Sequence, residues 1–137
     1  MENLKLSTAY ARYGAKVARG EQAPSAIAAD GAVVLQCHSG NFGRTQHDVL
    51  RYADAITSER VGVGRRAQLG QHLLAARDGS LPVRLVIVTA PKGTTPRIIS
   101  VRPDLVGKVT EFDGDRFVVD FSRLAPLAGK AGARRKR

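Results

Sequence analysis

The side chains that most resemble a metal or acid–base site are His38, His47 and Asp48. Metal ligation needs imidazole nitrogens and carboxylates that converge on one point. Thr45 predicts a helix start, and on such a helix His47 and Asp48 are neighbours whose side chains face apart. The third histidine, His72, is distant in the sequence. The pattern therefore favours a loop histidine and a helix-capping pair, and it leaves open whether His38, His47 and Asp48 form a site.

Four carboxylates lie close together in the C-terminal part of the sequence: Glu111, Asp113, Asp115 and Asp120. A metal-dependent nuclease or hydrolase uses carboxylates beside a strand to hold a divalent metal over a phosphate. The run from Asp113 to Asp115 is explained more simply as a turn, because aspartate side chains accept hydrogen bonds from nearby backbone N–H groups. A metal-dependent nuclease or hydrolase remains an alternative hypothesis, and the sequence points to no cofactor.

Two loops contain glycines and end in arginines. Residues 39–44 end at Arg44, and residues 61–66 end at Arg65 and Arg66. Backbone N–H groups at a helix N-terminus bind phosphate, although the spacing here matches neither the Walker pattern nor the dinucleotide fingerprint. Arginine at a helix start opposes the helix dipole, which suggests that Arg65 and Arg66 face a partner unless the helix begins later. Both loops are candidates for generic phosphate contact, and the alternative is that they are only flexible connections.

Positive charge is the clearest feature of the sequence. The chain has 22 Lys and Arg against 12 Asp and Glu, which gives a net charge of +10. Residues 128–137 hold five of the cations and no acid, including Arg134, Arg135, Lys136 and Arg137. We predict one globular domain over residues 1–125 and a disordered basic tail over residues 126–137. Such a tail binds phosphate backbones without reading their sequence.

A second group of cations lies on the first predicted helix, over residues 6–19. At about 100° per residue, Lys5, Arg12, Lys16 and Arg19 fall within one sector of that helix, beside an apolar sector that includes Tyr10. The stripe is consistent with a phosphate-facing surface or with an ordinary solvated helix face. We group it with Arg44, Arg65, Arg66 and the tail cations as candidate nucleic-acid contacts.

Composition narrows the setting of the protein. A single cysteine, Cys37, excludes an intramolecular disulfide scaffold and a cysteine zinc site. The N-terminal residues lack the apolar core of a signal peptide, and no apolar run approaches the roughly 20 residues of a membrane span. These features predict a cytoplasmic protein with no membrane partner, and they leave its oligomeric state unknown.

The order of predicted elements indicates an α+β fold with a largely antiparallel sheet. Helices are expected over residues 6–19, from Thr45, and over residues 65–77. A hairpin is expected at Asp30-Gly31, pairing Ile27 with Val34. The apolar run from residue 82 predicts a buried central strand, and a second hairpin follows with Phe112 opposite Phe117. Residues 105–119 resemble strands of SH3-like or PUA-like barrels, so closure into a small barrel with two to three helices is one option.

The leading hypothesis from the sequence is a small non-enzymatic nucleic-acid-binding protein. The basic helix face, the arginine-bearing loops and the tail would contact phosphates of DNA or RNA. An alternative is an interaction or inhibitor protein that binds an acidic protein partner, because net charge does not distinguish an acidic protein from a phosphate backbone. The sequence gives no preference between DNA and RNA.

Overall fold

A computed structural model of the chain describes residues 4–17, 23–45, 49–58, 61–89 and 98–124. These residues form an α+β fold that is mostly sheet, with one long helix. Its elements in chain order are α1 (Leu6–Ala11), β1 (Ser25–Ile27), β2 (Val33–His38), a 3-10 turn (Ser39–Asn41), β3 (Phe42–Arg44), β4 (Leu50–Ala55), a second 3-10 turn (Val63–Arg65), α2 (Arg66–Gly79), β5 (Val83–Thr89), β6 (Ile98–Val101), β7 (Leu105–Phe112) and β8 (Arg116–Arg123).

The eight strands form one open sheet in the order β1-β2-β5-β7-β8-β4-β3, with β6 paired to β5 beyond its contact with β7. The pairing is antiparallel except between β2 and β5. That parallel pair is reached by a long crossover that includes α2, as parallel pairing requires. β5 is hydrogen-bonded to three strands and is the predicted central strand. The barrel-like closure suggested by the sequence is not supported, because the sheet is open with β1 and β3 at its ends.

Alternation along the strands builds two apolar layers, one on each face of the sheet. On β2, Val33, Leu35 and Cys37 face the layer that α2 covers with Leu69, Leu73 and Ala76. The intervening Val34 belongs to the other layer, which α1 covers with Leu6, Ala9 and Tyr10. The α1 layer is confined to β1, β2, β5 and β6, whereas the α2 layer continues over β7, β8 and β4. The two helices therefore lie on opposite faces of the sheet.

The predicted helix from Thr45 is wrong, because Leu50–Ala55 is strand β4. Val49, Ala53 and Ile56 have helical spacing, but the alternation that matters is Leu50 and Tyr52 inward with Arg51 between them outward. β4 pairs with the central part of β8, and this pairing stabilises the strand more than the local sequence favours a helix. The described residues therefore hold one long helix, α2, and the short α1, rather than three full helices.

The first predicted helix is shorter than expected. It ends at Ala11, Gly14 takes a left-handed φ of 83°, and Ala15 forms an isolated bridge with Ala28. The bridge to Ala28 requires an extended backbone at Ala15, so Lys16 does not lie on the helix. The third predicted helix is confirmed as Arg66–Gly79, with Ser80 as its left-handed C-cap.

The hairpin registers are confirmed in part. Ile27 pairs with Val33, one residue away from the predicted partner Val34, because the turn closes with Ala28 bonded to Ala32. At the second hairpin, Phe112 pairs with Phe117 as predicted. A bulge at Thr110 then pairs Val109, rather than Thr110, with Val119.

Candidate nucleic-acid interface

The face of β3, β4, β7 and β8 that points away from α2 is exposed over most of its area. We call it the outer face. Register places its residues, since cross-strand partners in an antiparallel pair share a face. Its members are Gly43, Arg51, Ala53, Ala55, Val106, Lys108, Arg116, Val118, Asp120 and Ser122. Arg51, Ala53, Lys108, Arg116 and Ser122 are exposed, and none of the ten is fully buried.

The outer face carries three open grooves. A groove of about 590 Å³ runs along β3 and β4 between Arg44 and Arg51. A second groove of about 310 Å³ lies over β7 and β8 beside Lys108. A third groove of about 620 Å³ lies beside the β7–β8 turn, where Glu111, Asp113 and Arg116 line it. A polymer crossing the sheet would meet a cation at each groove.

Charged residues form a row across the strands. Lys108 on β7 pairs in register with Asp120 on β8, which pairs with Arg51 on β4. The Arg51 guanidinium holds the Asp120 carboxylate with two bonds, from Nε at 2.8 Å and from Nη2 at 3.0 Å. That hydrogen bond with Asp120 raises the pKa of Arg51. The row therefore carries two cations for one carboxylate, and the paired carboxylate fixes the position of Arg51.

The two ends of this half of the sheet differ in charge. At the end where β8 finishes, which we call the tail end, lie the exposed Arg44 and Arg123, whose register partners Leu50 and Leu105 are on the side that α2 covers. At the opposite end, the hairpin end, lie Glu111, Asp113 and Asp115 around the β7–β8 turn. Antiparallel pairing puts the start of β4 and the end of β3 at the tail end as well. Cations thus concentrate at the end from which residues 125–137 continue.

Further arginines surround Asp104 beside the tail end. Arg102 holds the Asp104 carboxylate with bonds of 2.9 and 2.7 Å. The hydrogen bond from Arg102, assisted by the charge of Arg123, lowers the pKa of Asp104 to about 2. The Leu124 N–H donates to the Asp104 carbonyl at 2.9 Å. Leu124, the last described residue, is therefore held next to a cluster in which two cations, Arg102 and Arg123, surround the single carboxylate of Asp104.

The structure separates the candidate contacts predicted from the sequence. Lys5, Arg12 and Lys16 are exposed on and beside α1. This helix lies on the same side of the sheet as the outer face, but it covers the other half of the sheet, formed by β1, β2, β5 and β6. Arg44 lines the groove along β3 and β4. The remaining candidates, Arg19, Arg134, Arg135, Lys136 and Arg137, lie outside the described residues.

The two arginines at the start of α2 lie elsewhere. The helix begins at Arg66, with Arg65 as its N-cap after a 3-10 turn. Both are half-buried, and the Arg66 guanidinium approaches the Thr57 carbonyl at 3.4 Å. Thr57 in turn donates to Asp115, which places this loop near the acidic hairpin end. Residues 39–44, predicted as a loop, form a 3-10 turn and strand β3 instead. Strand β4 follows them rather than a helix, so they offer no helix N-terminus to a phosphate.

The structure covers the candidate metal ligands predicted from the sequence only in part. His47 and Asp48 lie outside the described residues, and within the part of the chain that the structure describes no three His, Cys, Asp or Glu side chains are grouped to hold a metal ion. The Asp113 carboxylate accepts the backbone N–H groups of Asp115 and Arg116 at 2.9 and 2.8 Å, and these bonds lower the pKa of Asp113. The acidic run is thus a turn, as the sequence favoured.

A buried polar pair joins α2 to β1. Ser25 Oγ lies 2.7 Å from His72 Nδ1, beside a 250 Å³ cavity that Lys16 and Gln68 also line. Burial lowers the pKa of His72, so the neutral imidazole is favoured as the partner of the serine. Ser25 is 2% exposed. The pair satisfies two polar groups between the helix and the edge strand, and it lies away from the outer face.

Two cations of the outer face, Arg51 and Lys108, are absent from the candidates predicted from sequence. Lys108 alternates with buried Gly107 and Val109, a period of two that marks an outward position on a strand. The same signal exists for Arg51 between Leu50 and Tyr52, but the assumed helix hid it. Their convergence depends on the pairing of β4 with β8, which no local pattern indicates.

Within the described residues, no helix is long and apolar enough to cross a bilayer. The chain was compared with protein-family models, with curated proteins and with solved structures, and none of the three comparisons found a match.

Proposed function

We propose that this chain is a small non-enzymatic protein that binds nucleic acid by contacting phosphates through the tail end of its outer face and through its basic tail. The observation that carries the proposal is the position of the cations. Arg44, Arg51, Lys108 and Arg123 are exposed at the end of the sheet from which the chain continues into residues 126–137. The described chain therefore stops, at Leu124, at the same end of the sheet as these cations.

The physical basis of such binding is counterion release. Each phosphate neutralised by a Lys or Arg frees condensed cations, so affinity falls steeply as salt rises. Arginine contributes further because its planar fork binds two phosphate oxygens at once. In Arg51 the Nε and Nη2 groups already donate to Asp120, which holds the guanidinium on the outer face and leaves its remaining N–H groups for a phosphate. Lys5, Arg12 and Lys16 would extend the contact if the polymer continued toward α1.

A pair of charge reversals tests this proposal. Lys108→Glu at the tail side and Arg116→Glu at the hairpin end lie on the same face and the same hairpin, and each changes the net charge by the same amount. We expect Lys108→Glu to weaken binding of a labelled nucleic acid about ten-fold and to reduce the salt slope by about one, as removal of a phosphate contact does. Fluorescence anisotropy over a salt series measures both quantities.

The control variant makes the test specific. Arg116→Glu should change affinity by less than about two-fold, because its surroundings are already acidic and repel phosphate. Equal effects of the two reversals would mean that net charge alone attracts the polymer and that the outer face is not the site. If the wild-type chain binds no nucleic acid at low salt, the alternative of an acidic protein partner replaces the proposal.

A further inference from the structure

The aromatic side chains of this protein are fully accounted for. The sequence has three Tyr, four Phe and no Trp, and all seven lie within the described residues. Five of them are buried in the two apolar layers, each at most 8% exposed: Tyr10, Tyr52, Phe112, Phe117 and Phe121. The question of whether any base can stack on an aromatic ring therefore concerns only Tyr13 and Phe42.

Both half-buried rings are engaged by the protein itself. The Tyr13 hydroxyl donates to the Leu85 carbonyl at 2.9 Å, and the Arg84 guanidinium carbon lies 4.9 Å from the ring centroid. The Phe42 ring packs on the Tyr52 ring at 4.9 Å and on the Phe121 ring at 6.5 Å. The Phe42 side chain also lines the groove along β3 and β4. Each ring is therefore already packed against the protein over part of its surface.

The outer face carries no aromatic residue at any of its ten positions. Proteins that hold single strands combine a basic groove with aromatic rings, and each stacked base contributes about 1–3 kcal/mol. Without stacking, affinity depends on phosphate charge alone. Duplex presents that charge most densely, at one negative charge per about 1.7 Å of helix axis.

We infer that the nucleic acid bound at the outer face is double-stranded and is recognised through its phosphates, with no base unstacked. This inference rests on the proposed function and names its ligand class. Arg51 and Lys108 lie two strands apart, about 10 Å, and so would reach separate phosphates.

The test uses the full chain and four probes of equal length: a 20-base-pair DNA duplex, a 20-base-pair RNA duplex, one DNA strand, and the same DNA strand with abasic sites in place of every second base. Binding is followed by anisotropy at fixed salt. We expect at least one duplex to bind about ten-fold or more tightly than the single strand. We also expect base removal to change single-strand affinity by less than about two-fold, because no base stacks on the protein.

Intrinsic tyrosine fluorescence gives an independent readout, since stacking of a base quenches a tyrosine and a phosphate contact does not. When the protein is saturated with single strand or with duplex, we expect no decrease in tyrosine fluorescence beyond that caused by light absorbed by the nucleic acid. Tighter binding of the intact single strand, combined with a decrease on base removal, would overturn this inference and leave the proposed function standing. Failure of all four probes to bind would overturn both.

Discussion

Replacing Gly107 by alanine should destabilise the fold by about 2–3 kcal/mol, because it overfills a closed part of the core. A Cβ atom at this position would lie 2.6 and 2.7 Å from two ring carbons of Phe121 and 2.9 Å from a methyl carbon of Val119. Both partners are fully buried. Neither can rotate into solvent, so β7 would have to move away from β8. Urea unfolding followed by circular dichroism measures the change.

Two further variants make this result interpretable. Gly43→Ala adds the same atom to another strand where nothing lies within 4 Å, and it should change stability by less than about 0.5 kcal/mol. Phe121→Leu removes the ring that the new Cβ would meet. The added cost of Gly107→Ala should therefore be smaller in the Phe121→Leu background, a coupling that a double-mutant cycle measures. Equal costs for the alanines at positions 43 and 107 would show that β7 does not pack on β8 as described.

Neutralising the basic tail should have the largest effect on binding. The variant keeps the full chain and replaces the five tail cations, Lys130, Arg134, Arg135, Lys136 and Arg137, by glutamine. If all five contact phosphates, the salt slope falls by about 4–5, and affinity near 50 mM salt falls on the order of a hundred-fold or more. The reason is that a neutral glutamine displaces no condensed counterion from the phosphate backbone.

The control for the tail variant is the folded part of the protein. Its unfolding free energy should be unchanged, because the glutamines lie outside the described fold. Residual binding should persist and should still be reduced by Lys108→Glu, since the outer face contributes its own contacts. An unchanged salt slope would exclude the tail from the interface. Complete loss of binding, with no remaining effect of Lys108→Glu, would mean that the tail acts alone.

Much of the fold is readable from sequence where local pattern and burial agree. The central strand β5 is predicted because an apolar run bounded by Pro82 has no helical alternative in this context. The pairing of Phe112 with Phe117 is favoured over the register of a two-residue Asp113-Gly114 turn, because it sets two aromatic side chains opposite each other. The helix α2 follows from Leu69, Leu73 and Ala76 at helical spacing. In each case one short segment carries the whole signal.

Prediction fails where tertiary pairing decides. Residues 50–55 have apolar spacing that suits either a helix or a strand, and the partner that selects the strand, β8, is some 65 residues away in the sequence. The predicted register of the first hairpin is wrong by one residue, because its turn includes one more residue than Asp30-Gly31 alone. The open form of the sheet depends on which strands end it, and that is a property of the whole topology.

The candidate site shows the same division. Arg44 and the tail cations are visible in the sequence as charge beside glycine or at a chain end. Arg51 and Lys108 become neighbours on one face only through the β7–β8–β4 register. The acidic hairpin end, which opposes the basic tail end, is likewise a consequence of pairing. Charge composition led to the proposed class of partner, whereas sheet order was needed to define the proposed surface.

The measurement that tests the central claim most directly is a titration of the isotopically labelled full chain with a short DNA duplex, followed by amide chemical shifts. We predict that shifts concentrate in β3, β4, the end of β8, the start of β7 and residues 126–137. Amides of α2, which lies on the opposite face, should remain unchanged. Shifts centred on α2 or on the acidic β7–β8 turn, or none at low salt, would contradict binding at the tail end of the outer face.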